Sequence, residues 1–328
     1  MKVIRAPLRI SLFGGGTDLD PFVTEHGSTI ISLAINRYMY LTWNPRPTGG
    51  CRLSYSKVEE LESLKDAQHT LVRETARTHG IDEPCTLTIV SDMPKGTGLG
   101  SSSALAAALV IIARRFVWDI CWLVRKAASI EGAHSKAGWQ DYLPAVYGGL
   151  NTYSITDSFS KSPLSPFDIE TCLEGDLLLG VSALPTYLST IIHRYGLLLY
   201  TGTSRPADSI LSSWKKSEAQ LHEIKALADT VASEINNITP ERLGHYLDQT
   251  WELKRSIPGV TSPSLNRQYA VAMANGALGG KLLGAGAGGC WFFLVPPIST
   301  TRAKIKQALG LREIPFKIAE KGVESWEL

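Results

Sequence analysis

Apolar and polar positions alternate near the start of the chain, which is typical of a strand. Within residues 3–13 the polar Arg9 and Ser11 stand among apolar neighbours. Residues 29–43 and the short β-rich run 86–92 have the same character. Further strands are predicted over residues 150–155, 177–181, 196–201 and 290–295, and a last short strand opens at residues 315–318.

Helical spacing of apolar positions marks the second half of the chain. Leu243, Leu247, Thr250 and Leu253 share one face of a helix predicted over residues 240–256. Residues 157–168 are rich in Ser and Pro and are predicted as a loop. Strands and helices are mixed without strict alternation, which favours an α+β fold. The other predicted helices cover residues 61–79, 102 onward, 123–133, 140–147, 209–236, 263–277 and 303–309.

Length and composition narrow the function classes. A chain of 328 residues suggests roughly two domains. Hydrophobic residues make up 44%, and the net charge is +2, which excludes a disordered chain and gives no support for nucleic acid as main partner. The longest apolar run, residues 104–113, is about half a membrane span. Five scattered cysteines and the absence of a signal-peptide pattern predict a cytoplasmic protein.

Glycines form three clusters, and the second predicts an anion site. A β-rich run precedes it, and an Ala/Leu-rich helix follows it. Glycines allow the backbone to approach a ligand, serines cap the helix, and free N–H groups at its start attract phosphate. Neither a Walker A loop nor a dinucleotide fingerprint fits this order. The expected phosphate-binding residues are Lys95, Gly96, Thr97, Gly98, Leu99, Gly100, Ser101, Ser102 and Ser103.

The other two clusters are ambiguous alone. Residues 284–289 satisfy G-x-G-x-x-G, but a helix precedes them and a strand follows, which is the wrong context for a dinucleotide site. In the first cluster, Asp18 follows Gly14, Gly15 and Gly16. It can bind sugar hydroxyls in a bidentate manner or simply close a turn.

Taken together, residues 6–18, 98–104 and 281–289 resemble, in order and spacing, the three motifs of the GHMP kinase superfamily. The strings at 13–19, 138–141, 147–151, 200–205 and 276–281 are most similar to D-glycero-D-manno-heptose 7-phosphate kinases, with fucokinase-like sugar kinases nearby. The resemblance implies a two-domain GHMP kinase fold. A ribosomal-protein-S5-like N-terminal domain would cover residues 1–175, and a ferredoxin-like C-terminal domain would cover residues 176–328.

The resemblance also implies roles for single residues, with ATP and Mg²⁺ in the cleft. Asp141 matches the catalytic aspartate, and Arg9 the basic residue that supports it. Ser102 and Glu131 match the Mg²⁺ ligands, and both are hard oxygen donors. An acceptor that already carries a phosphate needs cations, for which Arg205 and either Lys254 or Arg255 are candidates. The expected substrate-binding residues are Gly15, Gly16, Thr17, Asp18, Gln140, Arg205, Lys254 and Gly286.

The expected activity is ATP-dependent phosphorylation of a sugar or sugar phosphate at its anomeric hydroxyl, with a heptose 7-phosphate or related higher-carbon sugar as acceptor. The sugar 1-phosphate formed would enter nucleotide-sugar synthesis. Alternatives are a kinase for an unphosphorylated hexose, and a catalytically silent sensor of sugar and ATP. A mevalonate-pathway enzyme is a third alternative, against which residues 16–18 argue. A homodimer without nucleic-acid or membrane partners is expected. Ala287 stands where the family usually has glycine, and its methyl is expected to crowd the loop.

Overall fold

The computed structural model describes residues 1–81, 83–113, 119–132, 137–156, 169–172, 177–203 and 208–328. Its strands are β1 (Lys2–Phe13), β2 (Ser28–Pro45), β3 (Cys51–Ser54), β4 (Val58–Leu61), β5 (Cys85–Ser91), β6 (Leu150–Thr156), β7 (Ile169–Cys172), β8 (Leu178–Ala183), β9 (Gly196–Tyr200), β10 (Gly279–Leu282), β11 (Cys290–Leu294), β12 (Arg312–Glu313) and β13 (Glu324–Glu327). Its helices are α1 (Phe22–His26), α2 (Thr70–His79), α3 (Ser101–Ala113), α4 (Ile120–Gly132), α5 (Trp139–Tyr147), α6 (Thr186–Tyr195), α7 (Asp208–Lys215), α8 (Glu218–Glu234), α9 (Pro240–Ser256), α10 (Pro263–Ala274) and α11 (Ser299–Leu309).

The first sheet is organised around β2, whose 18 residues pair with three strands. β1 runs antiparallel along β2 from Lys2 opposite Trp43 to Phe13 opposite Ile31. β6 and β5 pair with the two halves of β2, and β8, β7, β3 and β4 extend the sheet. β1 is buried from its fifth residue onward, so the polar side chains noted in its sequence lie inside the protein.

Helix α3 packs on this sheet and begins at the second glycine cluster. It contacts β1, β2, α4 and α5, so its residues from Ser103 to Val110 are all buried. Ala and Leu suit such a helix because small and straight side chains fill a crowded interior at little entropic cost. The start of α3 is thereby fixed against the strand that carries Arg9.

The second sheet has the order β10-β11-β9-β12, with α9 packed against β10. Its core is aromatic: the rings of Trp251 and Trp291 meet edge to face at 4.8 Å, and Trp291 stacks on Phe293 at 5.4 Å. The domain boundary between residues 175 and 176 stays a prediction, but the first sheet crosses it, because β8 pairs with β6 and β13 pairs with β1. In the described residues, no helix is both long and apolar enough to span a membrane.

Several predicted elements are wrong at their ends. The helix predicted over 61–79 begins only at Thr70, because Ser63 caps a separate 3₁₀ turn, Leu64–Asp66, in front of it. The helix over 209–236 is two helices, α7 and α8. The helix over 263–277 ends at Ala274. Residues 315–318 form no strand: Ile318 makes a single bridge to Ile35, and the last strand is β13. The predicted loop 157–168 lies outside the described residues.

Candidate active site

A cleft of about 520 Å³ is lined by residues of both sheets and of the helices and loops next to them. All three glycine clusters contribute to its lining. The cleft brings together the predicted residues Arg9, Gly15, Gly16, Lys95, Gly96, Gly98, Leu99, Gly100, Ser101, Ser102, Ser103, Glu131, Gln140, Asp141, Lys254 and Gly286.

An ion pair between Arg9 and Asp141 occupies the first-sheet side of the cleft. The Arg9 Nε donates to Asp141 Oδ1 at 2.7 Å, and its Nη2 donates to the same oxygen. The Nη1 donates to the carbonyl of Gly98, so one buried guanidinium ties the carboxylate to the glycine loop. Among the described residues, Asp141 Oδ2 receives no hydrogen bond. That oxygen is therefore free to accept a proton from a bound hydroxyl.

The first turn of α5 positions Asp141, and Asp18 fixes that turn. Asp18 Oδ2 accepts from the Gln140 backbone N–H at 2.8 Å, and Oδ1 accepts from the Gly16 N–H at 2.8 Å. Gly138 has to be glycine, because a Cβ there would lie 2.0 Å from Asp18 Oδ2. Burial raises the pKa of Asp18 to about 6, against the effect of the Gln140 hydrogen bond.

The second glycine cluster forms a tight loop over the start of α3. Gly96, Gly98 and Gly100 have φ values of +78°, +71° and +71°, a left-handed region that favours glycine. The Arg9 backbone N–H donates to the Leu99 carbonyl at 3.0 Å and holds the loop against β1. Ser101 opens α3, whose first turn points unpaired N–H groups toward the cleft. The loop and the helix start together suit a polyphosphate.

Glu131 lies at the same end of the cleft and fits a magnesium ion. Its carboxylate is buried and accepts from the Ser103 hydroxyl at 2.7 Å. Burial raises its pKa, while hydrogen bonds from Ser102, Ser103 and Tyr142 oppose that rise. A buried carboxylate beside serine hydroxyls is a hard oxygen donor set, which Mg²⁺ prefers. Glu131 and Ser102 would hold the ion.

Two buried lysines stand on the second-sheet side of the cleft. The Lys254 Nζ donates to the carbonyls of Leu282, at 2.7 Å, and Gly284. The Lys281 Nζ donates to the Leu12 carbonyl of the first sheet at 2.9 Å. Burial, and next the charge of Arg9, lower the pKa of Lys281 to about 7. Burial also lowers the pKa of Lys254 well below its ordinary value, with Lys281 adding to the effect.

The second and third glycine clusters touch through their backbones. A Cβ on Gly284 would lie 2.6 Å from the Cα of Gly98, and a Cβ on Gly98 would lie 2.5 Å from the Leu283 carbonyl oxygen. Ala287 occupies this third loop at φ +60°, its N–H donates to the Val260 carbonyl at 2.7 Å, and its methyl packs on the second core. The methyl therefore packs in the core and does not crowd the loop. The energetic cost of alanine at this position comes from its left-handed backbone conformation.

Three predicted residues are not on the cleft wall. The Thr17 hydroxyl donates to the Gly14 carbonyl and lies 2.6 Å from the Ser28 hydroxyl, so it closes the first loop from inside. Both Asp18 oxygens bind backbone N–H groups, as described above. Thr97 is fully buried, and its hydroxyl has no partner in the described residues. Arg205 lies outside the described residues.

Three cleft residues, Ser11, Trp214 and Lys281, were given no role from the sequence. Lys281 is a single charge within a short apolar strand, a signal that could have found it. Ser11 alternates with apolar residues in β1, and its buried hydroxyl has no partner in the described residues. Trp214 sits on α7, where helical spacing marks it as an ordinary core residue. Its ring packs on Gly16, and its Nε1 donates to the Ala285 carbonyl at 3.0 Å.

Comparison with family models gives two matches. The description "GHMP kinases N terminal domain" fits residues 64–149, and "GHMP kinases C terminal" fits residues 231–310. The matched segments together span just over half of the chain. They include the second and third glycine clusters, Glu131 and Asp141.

Individual relatives agree with these matches. The chain is 26% identical over 363 residues to the D-glycero-alpha-D-manno-heptose 7-phosphate kinase of Campylobacter jejuni, covering 100% of both chains. It is 26% identical to the mevalonate kinase of Thermococcus sibiricus, over 82% of this chain and 76% of the relative. The crystal structure of a D-glycero-D-manno-heptose 1-phosphate kinase from Bacteroides thetaiotaomicron superposes with a TM-score of 0.76 at 20% identity, covering 100% and 99% of the two chains. The shared fold confirms the expected two-domain architecture.

Proposed function

Since the chain belongs to the GHMP kinase family and is a phosphotransferase with an alcohol group as acceptor, we propose that it phosphorylates a sugar or sugar phosphate with ATP. The proposed acceptor is a heptose 7-phosphate or a related higher-carbon sugar, and the proposed position is its anomeric C1 hydroxyl. The observation that carries this proposal is the Arg9–Asp141 pair, which lies against the glycine loop of α3 in one cleft. The full-length similarity to a heptose 7-phosphate kinase supports the choice of acceptor.

The ATP phosphates bind over the second glycine cluster in this proposal. The left-handed glycines bring backbone N–H groups close to the phosphate oxygens, and the start of α3 adds its dipole. Glu131 and Ser102 hold Mg²⁺, which neutralises charge on the transferring phosphoryl group when bound. Glu131 is buried, which keeps water from competing for its carboxylate, whereas Ser102 is exposed at the start of α3.

Asp141 acts as the general base. Its Oδ2 accepts the proton of the acceptor hydroxyl as the oxygen–phosphorus bond forms, and ADP leaves with the electron pair of the broken bond. The hydrogen bonds of Arg9 to Oδ1 hold the carboxylate in place and leave Oδ2 toward the cleft. Asp18 and Gly138 are positioning residues, because they set the first turn of α5; Gly138 also lines the cleft, whereas Asp18 does not.

Lys281 supplies positive charge for a phosphate at the opposite side of the cleft. Its ammonium carries three donors, and among the described residues only the Leu12 carbonyl accepts one. Lys254 already donates to two carbonyls, so its main task is to hold the third glycine loop. The second-sheet side of the cleft thereby offers the Lys281 ammonium to the phosphate of a phosphorylated acceptor.

The product of this reaction is a sugar 1-phosphate, which a nucleotidyltransferase can activate. We place the enzyme in the cytoplasm, where thiols stay reduced. The support is that Cys51, Cys85, Cys121 and Cys290 are free, although the sulfurs of Cys51 and Cys85 lie 4.0 Å apart.

An ADP-release screen tests the proposal. Acceptors should include free and phosphorylated hexoses, heptoses and larger sugars, with mevalonate as a non-sugar acceptor, and Asp141→Asn as the matched control. We expect turnover with a phosphorylated heptose or related sugar above that of the variant. Phosphorus NMR of the product then reports whether C1 carries the new phosphate.

Each other outcome has a defined meaning. Turnover with a free hexose alone would mean that the acceptor is an unphosphorylated hexose and not a heptose phosphate. Turnover with mevalonate alone would mean that the acceptor is not a sugar. ATP and sugar binding without turnover in any arm would indicate a silent sensor and overturn the enzyme assignment.

A further inference from the structure

A cluster of metal-binding side chains lies outside the cleft, where α1 meets α8. His26 ends α1, while Glu218 and His222 stand one turn apart on the same face of α8. Their ligand atoms all lie within 4.8 Å of one another, which no other group of three His, Cys, Asp or Glu side chains achieves in the described residues. Two separate segments of the chain therefore converge on one point.

The geometry is close to that of a bound ion. The Oε1 of Glu218 lies 3.8 Å from the Nε2 of His26 and 3.8 Å from the Nε2 of His222. Two ligands of a tetrahedral zinc ion lie about 3.3 Å apart, given bonds of about 2.0 Å. The carboxylate therefore needs to approach each imidazole by about half an ångström, which exposed side chains achieve by small rotations.

Aromatic packing keeps the two imidazoles together. Their ring centroids lie 4.5 Å apart, and the ring of Phe22 packs on both, at 4.7 Å from His26 and 4.9 Å from His222. Phe22 is itself anchored in the second core. Phe22 thus holds both imidazoles against the protein, while His26, Glu218 and His222 remain exposed to solvent.

We propose that His26, Glu218 and His222 bind a transition-metal dication, best fitted by zinc, that bridges α1 and α8. Two imidazole nitrogens and one carboxylate are a donor set that zinc accepts, whereas Mg²⁺ and Ca²⁺ prefer oxygen alone. Three protein ligands leave a fourth position. Glu25, whose Oε2 lies 3.7 Å from the Nε2 of His26, or a water molecule can fill it.

The site adjoins a wall of the catalytic cleft. A side cavity of about 190 Å³ is lined by Glu25, His26 and Glu218, and it shares Gly16, Leu19 and Trp214 with the main cleft. An ion that joins α1 to α8 restrains both elements next to Trp214. Bound zinc is therefore expected to reduce hydrogen exchange in residues 19–26 and 218–222.

The test is zinc binding to the full chain freed of metal by a chelator. Competition with a chromogenic chelator and calorimetry measure affinity, and thermal unfolding measures stabilisation. We expect one zinc ion per chain at this site, a raised Tm, and binding weakened at least tenfold in His222→Gln and in His26→Asn. His193→Gln is the matched control, because His193 is exposed and helical but distant in sequence from the cluster.

Cobalt substitution identifies the ligand atoms. Visible bands of Co²⁺ without a thiolate charge-transfer band are expected, and a thiolate band would instead point to Cys51 and Cys85 and overturn the assignment. Equal zinc affinity in wild type and both folded variants, or no zinc binding by wild type, would also overturn it. None of these measurements uses the kinase reaction, so their failure would leave the proposed function intact.

Discussion

The two walls of the catalytic cleft carry different chemistry. The first-sheet wall holds both carboxylates of the described lining, Asp141 and Glu131, each bound to a partner. The second-sheet wall holds Lys254 and Lys281, and no carboxylate among its described lining residues. In the proposed reaction, the first wall moves the proton and holds the metal ion, and the second wall attracts anions.

The difference also appears in what each wall is built from. The first wall is assembled from strand β1 and the starts of α3 and α5, which are rigid elements set by buried contacts. The second wall joins Lys254 of α9 and Lys281 of β10 to a loop of left-handed residues, which Lys254 and Trp214 hold through backbone carbonyls. Precise proton transfer needs the former, whereas a phosphate, whose charge is spread over several oxygens, tolerates the latter.

The largest expected effect comes from removing Asp141, the proposed general base on the first wall. Asp141→Asn should lower kcat by about 100- to 10,000-fold, because an amide cannot accept the hydroxyl proton. Steady-state ADP release and ATP-analogue calorimetry measure kcat and nucleotide affinity separately. Nucleotide affinity should change little. A variant with kcat within tenfold of wild type would give the proton-moving role to another group.

A pH-dependent test addresses the buried carboxyl of Asp18, which fixes the first turn of α5 in the same wall. The pKa of Asp18 rises from 3.8 to about 6 on folding, so the folded state binds this proton more tightly than the unfolded state. Its contribution to stability is present below about pH 4 and is lost as pH rises through about 6. A shift of about two units corresponds to about 3 kcal/mol.

Urea unfolding of wild type and Asp18→Asn at several pH values measures this contribution. The unfolding free energy of wild type relative to the variant should fall by up to about 3 kcal/mol between about pH 4 and pH 7. Glu223→Gln, which removes an exposed carboxylate on α8, should show no such slope. If the difference in unfolding free energy between wild type and Asp18→Asn did not change with pH, the Asp18 carboxyl would not be buried.

The anion-attracting role of the second wall is tested by Lys281→Met. We expect kcat/KM to fall about 10- to 100-fold, because a charged donor to phosphate is worth about 1.5–3 kcal/mol. With a pKa of about 7, Lys281 is charged below that pH and neutral above it. Affinity for the phosphorylated acceptor should therefore weaken as pH rises above neutrality in wild type, and stay flat in the variant. Lys304→Met, on the exposed face of α11, is the control.

The smallest effect is expected at Ala287. Its left-handed backbone costs an alanine about 1 kcal/mol, but glycine gives the unfolded chain more freedom. Ala287→Gly should change the unfolding free energy by less than about 1 kcal/mol and activity by less than about twofold. Denaturant unfolding and ADP release measure both. A tenfold change in activity would show that catalysis depends on the exact backbone conformation of the third loop as strongly as on the first wall.

Sequence patterns predicted the parts of the molecule where local and tertiary preferences agree. β1, β2 and α9 occur nearly as predicted, because the β-rich runs and the helical spacing agree there with the pairing of β1 along β2 and the packing of α9 on β10. The helix predicted from residue 61 began too early because Leu61, Leu64 and Leu71 are spaced like a helix, while Ser63 caps a separate turn. α6 was missed, since Thr190, Ile191 and Ile192 are β-branched and the packing of α6 overrides that preference.

The candidate site could be predicted only where a motif marks it. The three glycine clusters, Arg9, Glu131 and Asp141 were located from such strings. Lys281 lies within such a string but was given no role, and Trp214 lies in none, because their roles depend on which segment packs opposite, and no local pattern encodes that. The same holds for Asp18, whose partner Gln140 lies 122 positions away in the sequence. Homodimer formation stays a prediction.

The contact between Gly98 and Gly284 limits how sequences of this kind can change. Any side chain added at Gly284 begins 2.6 Å from the Cα of Gly98, so it must push the two domains apart by roughly an ångström to reach ordinary contact. A substitution at one of these positions cannot compensate for a side chain at the other, because both glycines already lack a Cβ and have no atom left to remove. Two codons that are far apart in the gene are thus under the same constraint, which is to keep glycine. Evolution can change the residues around this pair, but not the pair itself.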